Sequence, residues 1–115
     1  MPPKANPLKL NPLQRKTLAL LQVLAEQADD SARDAESGAV AVGPLPQPHG
    51  DHFHLGSHVV MRADATGLQN QGVMMALIRK GLIEPAPGAG GLALTRAGQA
   101  YDTQMREAIL HGSDH

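Results

Sequence analysis

Across residues 73–99 the hydrophobic positions change period twice. Val73, Leu77 and the Met74/Ile78 pair recur at helical spacing, Arg79 and Lys80 place cations at the negative end of that helix, and Gly81 is positioned to close it. Leu82 and Ile83 then open an extended run. Pro85, Pro87, Gly88, Gly90 and Gly91 make a tip with no core of its own, and Leu92 and Leu94 alternate on the return before Thr95, a residue suited to capping a following helix. The stretch predicts helix, strand, tip, strand, helix.

The same reading divides the rest of the chain. Residues 1–10 hold Pro2, Pro3 and Pro7, which oppose regular structure, and Lys4 and Lys9, which keep the segment solvated; they are expected to form a flexible arm. Asn11-Pro12 is a helix start, with Asn as the cap, Pro preorganised at the first helical position and Gln14 placed to reach back. Leu13, Thr17, Leu20, Leu21, Leu24 and Ala28 then make one apolar stripe, with Arg15, Lys16, Gln22 and Glu26 mostly elsewhere on the wheel. Residues 29–38 lack that stripe and read as an exposed acidic connection, 39–42 as a short strand, and Pro44, Pro46 and Pro48 as an extended linker. Beyond Thr95, the stripe Ala97, Tyr101, Met105 and Ala108/Ile109 predicts one terminal helix that packs on the first helix or pairs with a second copy.

The run from residue 59 to residue 101 carries three landmarks: Thr66-Gly67-Leu68, the helix end Lys80-Gly81-Leu82-Ile83, and Leu94-Thr95 followed by Ala97-Gly98. In order and spacing they resemble the winged helix-turn-helix domain of MarR-type and related small bacterial regulators. The resemblance implies an α+β winged helix over residues 11–110 with a wing at 82–95, from which this chain departs by a long Pro-rich β insertion at 29–57 after the first helix; residues 111–115 form a tail. It also implies that the turn at Thr66 follows a helix over residues 58–65, and that residues 69–80 form the helix entering a major groove. Gln69, Asn70 and Gln71 would then face base edges, for which a side chain that both donates and accepts suits adenine. Arg62, Arg79, Lys80 and Arg96 would contact phosphates.

Composition narrows what this fold can do. A chain of 115 residues suits one domain. One Phe, one Tyr and no Trp leave the core to aliphatic residues and remove base stacking on aromatics as a binding mode. The absence of Cys excludes disulfides, thiolate metal sites and cysteine nucleophiles. A formal charge of −1 means that any DNA contact rests on local rather than global basicity. No run is long enough to span a bilayer and the start does not read as a signal peptide, so the expectation is a cytoplasmic protein with no membrane association. With no Gly-x-Ser-x-Gly, no phosphate loop and no carboxylate pair at a recognisable spacing, the expectation is a non-enzyme.

Between the linker and the predicted turn, His49, His52, His54 and His58 crowd together with Asp51. In a strand starting at His52, the period of two sets His52, His54 and His58 on one face, with His49 and Asp51 near enough to complete a shell around Zn²⁺, Ni²⁺ or Cu²⁺. A helix over 58–65 would instead remove His58 from the row. The blander reading, which is preferred, is that the imidazoles form the polar side of a half-buried strand; joint titration is a third. The functional expectation is a small DNA-binding or transcription-associated protein acting on double-stranded DNA, dimeric through its terminal helices and without an obligate cofactor. A protein-interaction module without DNA affinity and a metal-responsive regulator are the alternatives.

Overall fold

The computed structural model describes residues 7–42, 51–55, 58–86 and 91–112. They form an α+β fold in the order α1 (Pro12–Gln27), β1 (Val40–Ala41), β2 (His52–Leu55), β3 (His58–Met61), α2 (Gln71–Arg79), β4 (Ile83–Pro85), β5 (Leu92–Leu94), α3 (Arg96–Ala100), α4 (Arg106–Ile109) and β6 (His111–Gly112). Two antiparallel sheets result, with strand orders β1-β5-β4 and β2-β3-β6. Among the described residues no helix is long and apolar enough to cross a membrane. The proline linker, most of the wing tip, the end of the tail and the first six residues lie outside the described residues.

Helix α1 begins with the reciprocal cap the sequence predicts. Asn11 Oδ1 accepts from Gln14 N at 2.8 Å, Gln14 Oε1 accepts from Asn11 N at 3.1 Å, and Pro12 opens the helix. Burial then spreads beyond the expected stripe: Leu18, Ala19, Gln22, Val23 and Ala25 are buried as well as Thr17, Leu20 and Leu21. The physical reason is that α2, α3, α4, β5 and the 3-10 turns at Arg62–Asp64 and Thr66–Gln69 all pack on α1, so it is a central helix rather than an outer one. The buried amide of Gln22 is satisfied by two backbone carbonyls, donating from Nε2 to Gly98 O at 2.9 Å and Tyr101 O at 2.6 Å.

The chain docks earlier than the expected boundary at residue 11. Leu10 is buried in the core, and Leu8 is gripped through its backbone, its N–H donating to the Tyr101 hydroxyl at 3.1 Å and its carbonyl accepting from Lys80 Nζ at 3.0 Å.

Helix α2 packs by Val73 and Leu77 and ends as predicted. Gly81 N donates to Ile78 O and Leu82 N to Leu77 O, both at 3.0 Å, the paired pattern of a Schellman stop. Gly81 has φ +77°, a left-handed conformation that favours glycine. Fully buried Leu82 and Leu77 close the apolar contact across the stop. Strands β4 and β5 follow as a hairpin, pairing Ile83 with Leu94 and Pro85 with Leu92, and β1 joins the free side of β5 with Val40 opposite Leu94.

Thr95 ties this sheet to the last helices. Its hydroxyl accepts from Gly98 N at 3.0 Å and lies 2.7 Å from Gly81 O and 3.0 Å from Leu82 O, to which its proton can be donated. The approach is so close that a Cβ on Gly98 would collide with the Leu82 carbonyl oxygen.

Two expectations are corrected. The terminal helix is broken into α3 and α4. Gln22 draws off the carbonyls of Gly98 and Tyr101, Asp102 Oδ1 accepts from Gln104 N, Thr103 Oγ1 accepts from Met105 N, and Gln104 adopts φ +57°. Side-chain bonds thus replace the helical ladder there. The second correction concerns the helix expected before Thr66. Residues 58–61 are strand β3, followed by 3-10 turns at Arg62–Asp64 and Thr66–Gln69. The β-branched pair Val59-Val60 fits a strand, and pairing with β2 satisfies its backbone. Lys16 Nζ, 2.8 Å from Asp64 Oδ1, holds the first turn to α1.

Helix α4 is tied back to α1 by a forked pair, with Arg106 Nη1 and Nη2 each 2.7 Å from a Glu26 carboxylate oxygen. The Arg106 hydrogen bond holds the Glu26 carboxyl below the usual glutamate range; burial opposes it, and the charges of Arg106 and then His58 add to the lowering. A depressed carboxylate contributes stability above its unfolded pKa and loses it as pH falls through the folded value. Arg106→Ala should therefore cost up to about 1 kcal/mol at neutral pH, as for other solvent-facing pairs. The gap from wild type should close at acid pH, below about 4.3, in urea unfolding across a pH series. By the same assay, Gly98→Ala should lose about 1–3 kcal/mol, the range for overpacking, because the obstructing atom belongs to the backbone.

Candidate functional site

The outward side of α2 is set by the inward one. Val73 and Leu77 are buried, so Gln71, Met75 and Arg79, four residues apart, point the other way and are exposed. The stripe is polar at its start, apolar in the middle at Met75, which is 46% exposed, and cationic at its end.

The seven residues expected at a nucleic acid fall into three neighbourhoods. Arg62, Gln69, Asn70 and Gln71 occupy the 3-10 turns and the entry to α2, all exposed. Asn70 is the helix cap, its Oδ1 accepting from Val73 N at 3.2 Å, so half of its amide is committed to the backbone. Arg79 and Lys80 lie at the other end of α2, roughly 12 Å away at 1.5 Å per residue. Lys80 is bonded to the Leu8 carbonyl, so its ammonium already serves the fold. Arg96 lies apart from α2 in the chain, its side chain against Gly38, whose carbonyl also accepts from Arg33 Nη1 at 3.1 Å and Gln99 Nε2 at 2.8 Å. The Lys80–Leu8 and Gln99–Gly38 bonds join residues far apart in the chain, which no sequence spacing reveals; the helix begins at Gln71 rather than the expected residue 69, which makes Asn70 its cap instead of a residue of its first turn.

The histidines sit on a hairpin. Strand β2 reverses into β3 with His52 opposite Met61, Phe53 opposite Val60, His54 opposite Val59 and Leu55 opposite His58. Directly opposed residues share a face. Leu55 and Val60 are buried, so His58 lies on the core side, whereas His52 and His54 share the outer side with Val59 and Met61. The single row of three is thereby corrected: the chain reverses between His54 and His58, and the strand period does not carry across the turn. His49 lies outside the described residues. The rings of His52 and His54 meet edge to face with centroids 5.5 Å apart. His52 Nδ1 is 3.1 Å from Asp51 Oδ1, and that bond is the main reason the Asp51 carboxyl is held below its usual range. Among the described residues no three His, Asp or Glu side chains converge as a metal shell.

Comparison with known proteins finds no matching family model, no matching curated protein and no matching solved structure.

If Asn70 serves α2 mainly as a cap, Asn70→Ala should lower stability by about 1 kcal/mol while Asn70→Asp stays near wild type. Urea midpoints for the two variants check this.

Proposed function

We propose that the chain is a small winged-helix-type DNA-binding protein, associated with transcription and without catalytic activity. Helix α2 would lie in the major groove and the β4–β5 hairpin would act as the wing. The observation that carries the reading is the Gln71-Met75-Arg79 stripe on a helix whose opposite side is locked into the core and which runs directly into a hairpin. Gln71 and Gln69 would meet base edges, and Arg62 and Arg79 phosphates. Lys80 and Arg96 would contribute through their charge near the surface rather than as extended phosphate ligands. A homodimer would have to use Ala97, Ala100 and Ala108, the exposed small residues of α3 and α4, since Ile109 is buried within the chain.

The second reading, a protein-interaction module, is favoured by two observations. Met75 and Met61 are large exposed hydrophobic residues, and β3 with its 3-10 turn stands where a helix-turn-helix unit would have its first helix.

Fluorescence anisotropy with the protein's own upstream DNA, at low and moderate salt, separates the two. A DNA-binding protein should lose affinity steeply with salt. Arg79→Ala should weaken binding to all sequences and flatten the salt slope by about one, and Gln71→Ala should cost about 1–3 kcal/mol on the preferred sequence only. Absence of binding at low salt would reject DNA recognition in favour of the interaction module.

A further inference from the structure

We propose that the outer side of the β2–β3 hairpin is a copper site in which His52, His54 and Met61 supply two imidazole nitrogens and one thioether sulfur. This inference stands apart from the reading of α2.

Three features of the hairpin bring the donors together. First, residues two apart on a strand project to the same face, which places His52 beside His54. Their ring centroids are 5.5 Å apart, close to the roughly 5 Å that two metal–nitrogen bonds of about 2 Å leave between bound imidazole rings, so the spacing of the pair suits one shared ion.

Second, Met61 is directly opposite His52. Arg62 N donates to Asp51 O at 2.8 Å, which makes Asp51 and Arg62 a hydrogen-bonded pair. Alternation along an antiparallel ladder then makes His52 and Met61 a non-hydrogen-bonded pair, the type whose Cα atoms lie only about 4.5 Å apart and whose side chains are closer. Met61 is 40% exposed although it is a large hydrophobic residue, so it stands on the solvent side of the hairpin.

Third, Asp51 bonds the Nδ1 side of His52. When that nitrogen carries the proton toward the carboxylate, Nε2 is the nitrogen presented to a metal. This carboxylate–histidine arrangement recurs behind metal ligands and fixes both tautomer and ring orientation. Asp51 is thus a positioning residue, not a ligand.

The donor set selects the ion. A structural zinc site takes four ligands from imidazole, thiolate and carboxylate, and no three His, Asp or Glu side chains converge among the described residues. Thioether sulfur is a soft donor that favours Cu(I), and imidazole suits copper as well, so two nitrogens and one sulfur make a three-coordinate Cu(I) site.

The test is a competition titration of the full chain with Cu(I) under reducing conditions against a chromophoric chelator, repeated with Zn²⁺. One Cu(I) per chain is expected. His52→Ala and His54→Ala should each weaken it at least about tenfold, and Asp51→Asn by about tenfold, the lower end for a residue behind a ligand. Met61→Leu, which keeps the apolar bulk, should weaken Cu(I) while leaving Zn²⁺ unchanged. His58→Ala, on the opposite face, should change neither. Circular dichroism verifies that each variant is folded, and X-ray absorption of the wild-type complex should show one sulfur neighbour that Met61→Leu removes. The proposal is overturned if Cu(I) does not compete, if Met61→Leu leaves its affinity and spectrum unaltered, or if His58→Ala weakens binding as much as His54→Ala.

Discussion

From Thr17 through Val23 every residue of α1 is buried, and a helix buried around its whole circumference must receive a packing surface or a hydrogen bond from each direction. The chain supplies these from elements remote in sequence. Leu68 and Val73 come from the turn and helix after the hairpin, Leu94 from β5 and Ile109 from α4, all in the same apolar cluster. The one strongly polar side chain in the stretch, Gln22, can be buried only because α3 ends at its amide and offers two carbonyls. That requirement also explains why the last helix is interrupted. In a continuous helix those carbonyls would be engaged in the helical ladder and turned along its axis, whereas the break directs both to the Gln22 amide, whose burial without acceptors would cost about 1–3 kcal/mol.

A second constraint joins the helical layer to the small sheet. The end of α2, the start of β4 and the start of α3 meet at Thr95, whose hydroxyl lies within bonding distance of Gly81 O, Leu82 O and Gly98 N. Gly98 is needed there for close approach rather than for its dihedral freedom. With α2 fixed at this end by its Schellman stop and at the other by Asn70, the backbone positions of its outward residues are set at both ends. The fold therefore presents Gln71, Met75 and Arg79 as a unit, whatever surface they meet.

The hairpin β2–β3 has different physics on its two sides. Its inner side, with Leu55 and Val60, joins the core, and this burial fixes the register because a shift by one residue would exchange the faces. The outer side inherits His52, His54 and Met61 from that register. Their proximity is thus a by-product of how Leu55 and Val60 pack, and it is held as firmly as the core is.

Local chemistry was legible wherever neighbours in sequence are also neighbours in space. The Asn11–Gln14 capping box, the Gly81 stop, the Thr95 cap and the hairpin after Ile83 each rest on interactions between near neighbours in sequence, so their signatures are in the letters. The α+β class follows from the alternation of those elements. Tertiary structure alone decided which sides of α1 are buried, because helical periodicity marks an apolar stripe but cannot count how many elements will surround it. It also decided that residues 58–61 form a strand and that residues 101–105 leave the helix. At residues 101–105 a distant partner, Gln22, draws off the carbonyls of the helix, whereas at residues 58–61 the β-branched pair and the pairing with adjacent β2 favour a strand over the helix that the family resemblance implies. The pairing of His52 with Met61 and the parting of His54 from His58 belong to the same category, since a reversal of chain direction places residues on a face by register rather than by spacing.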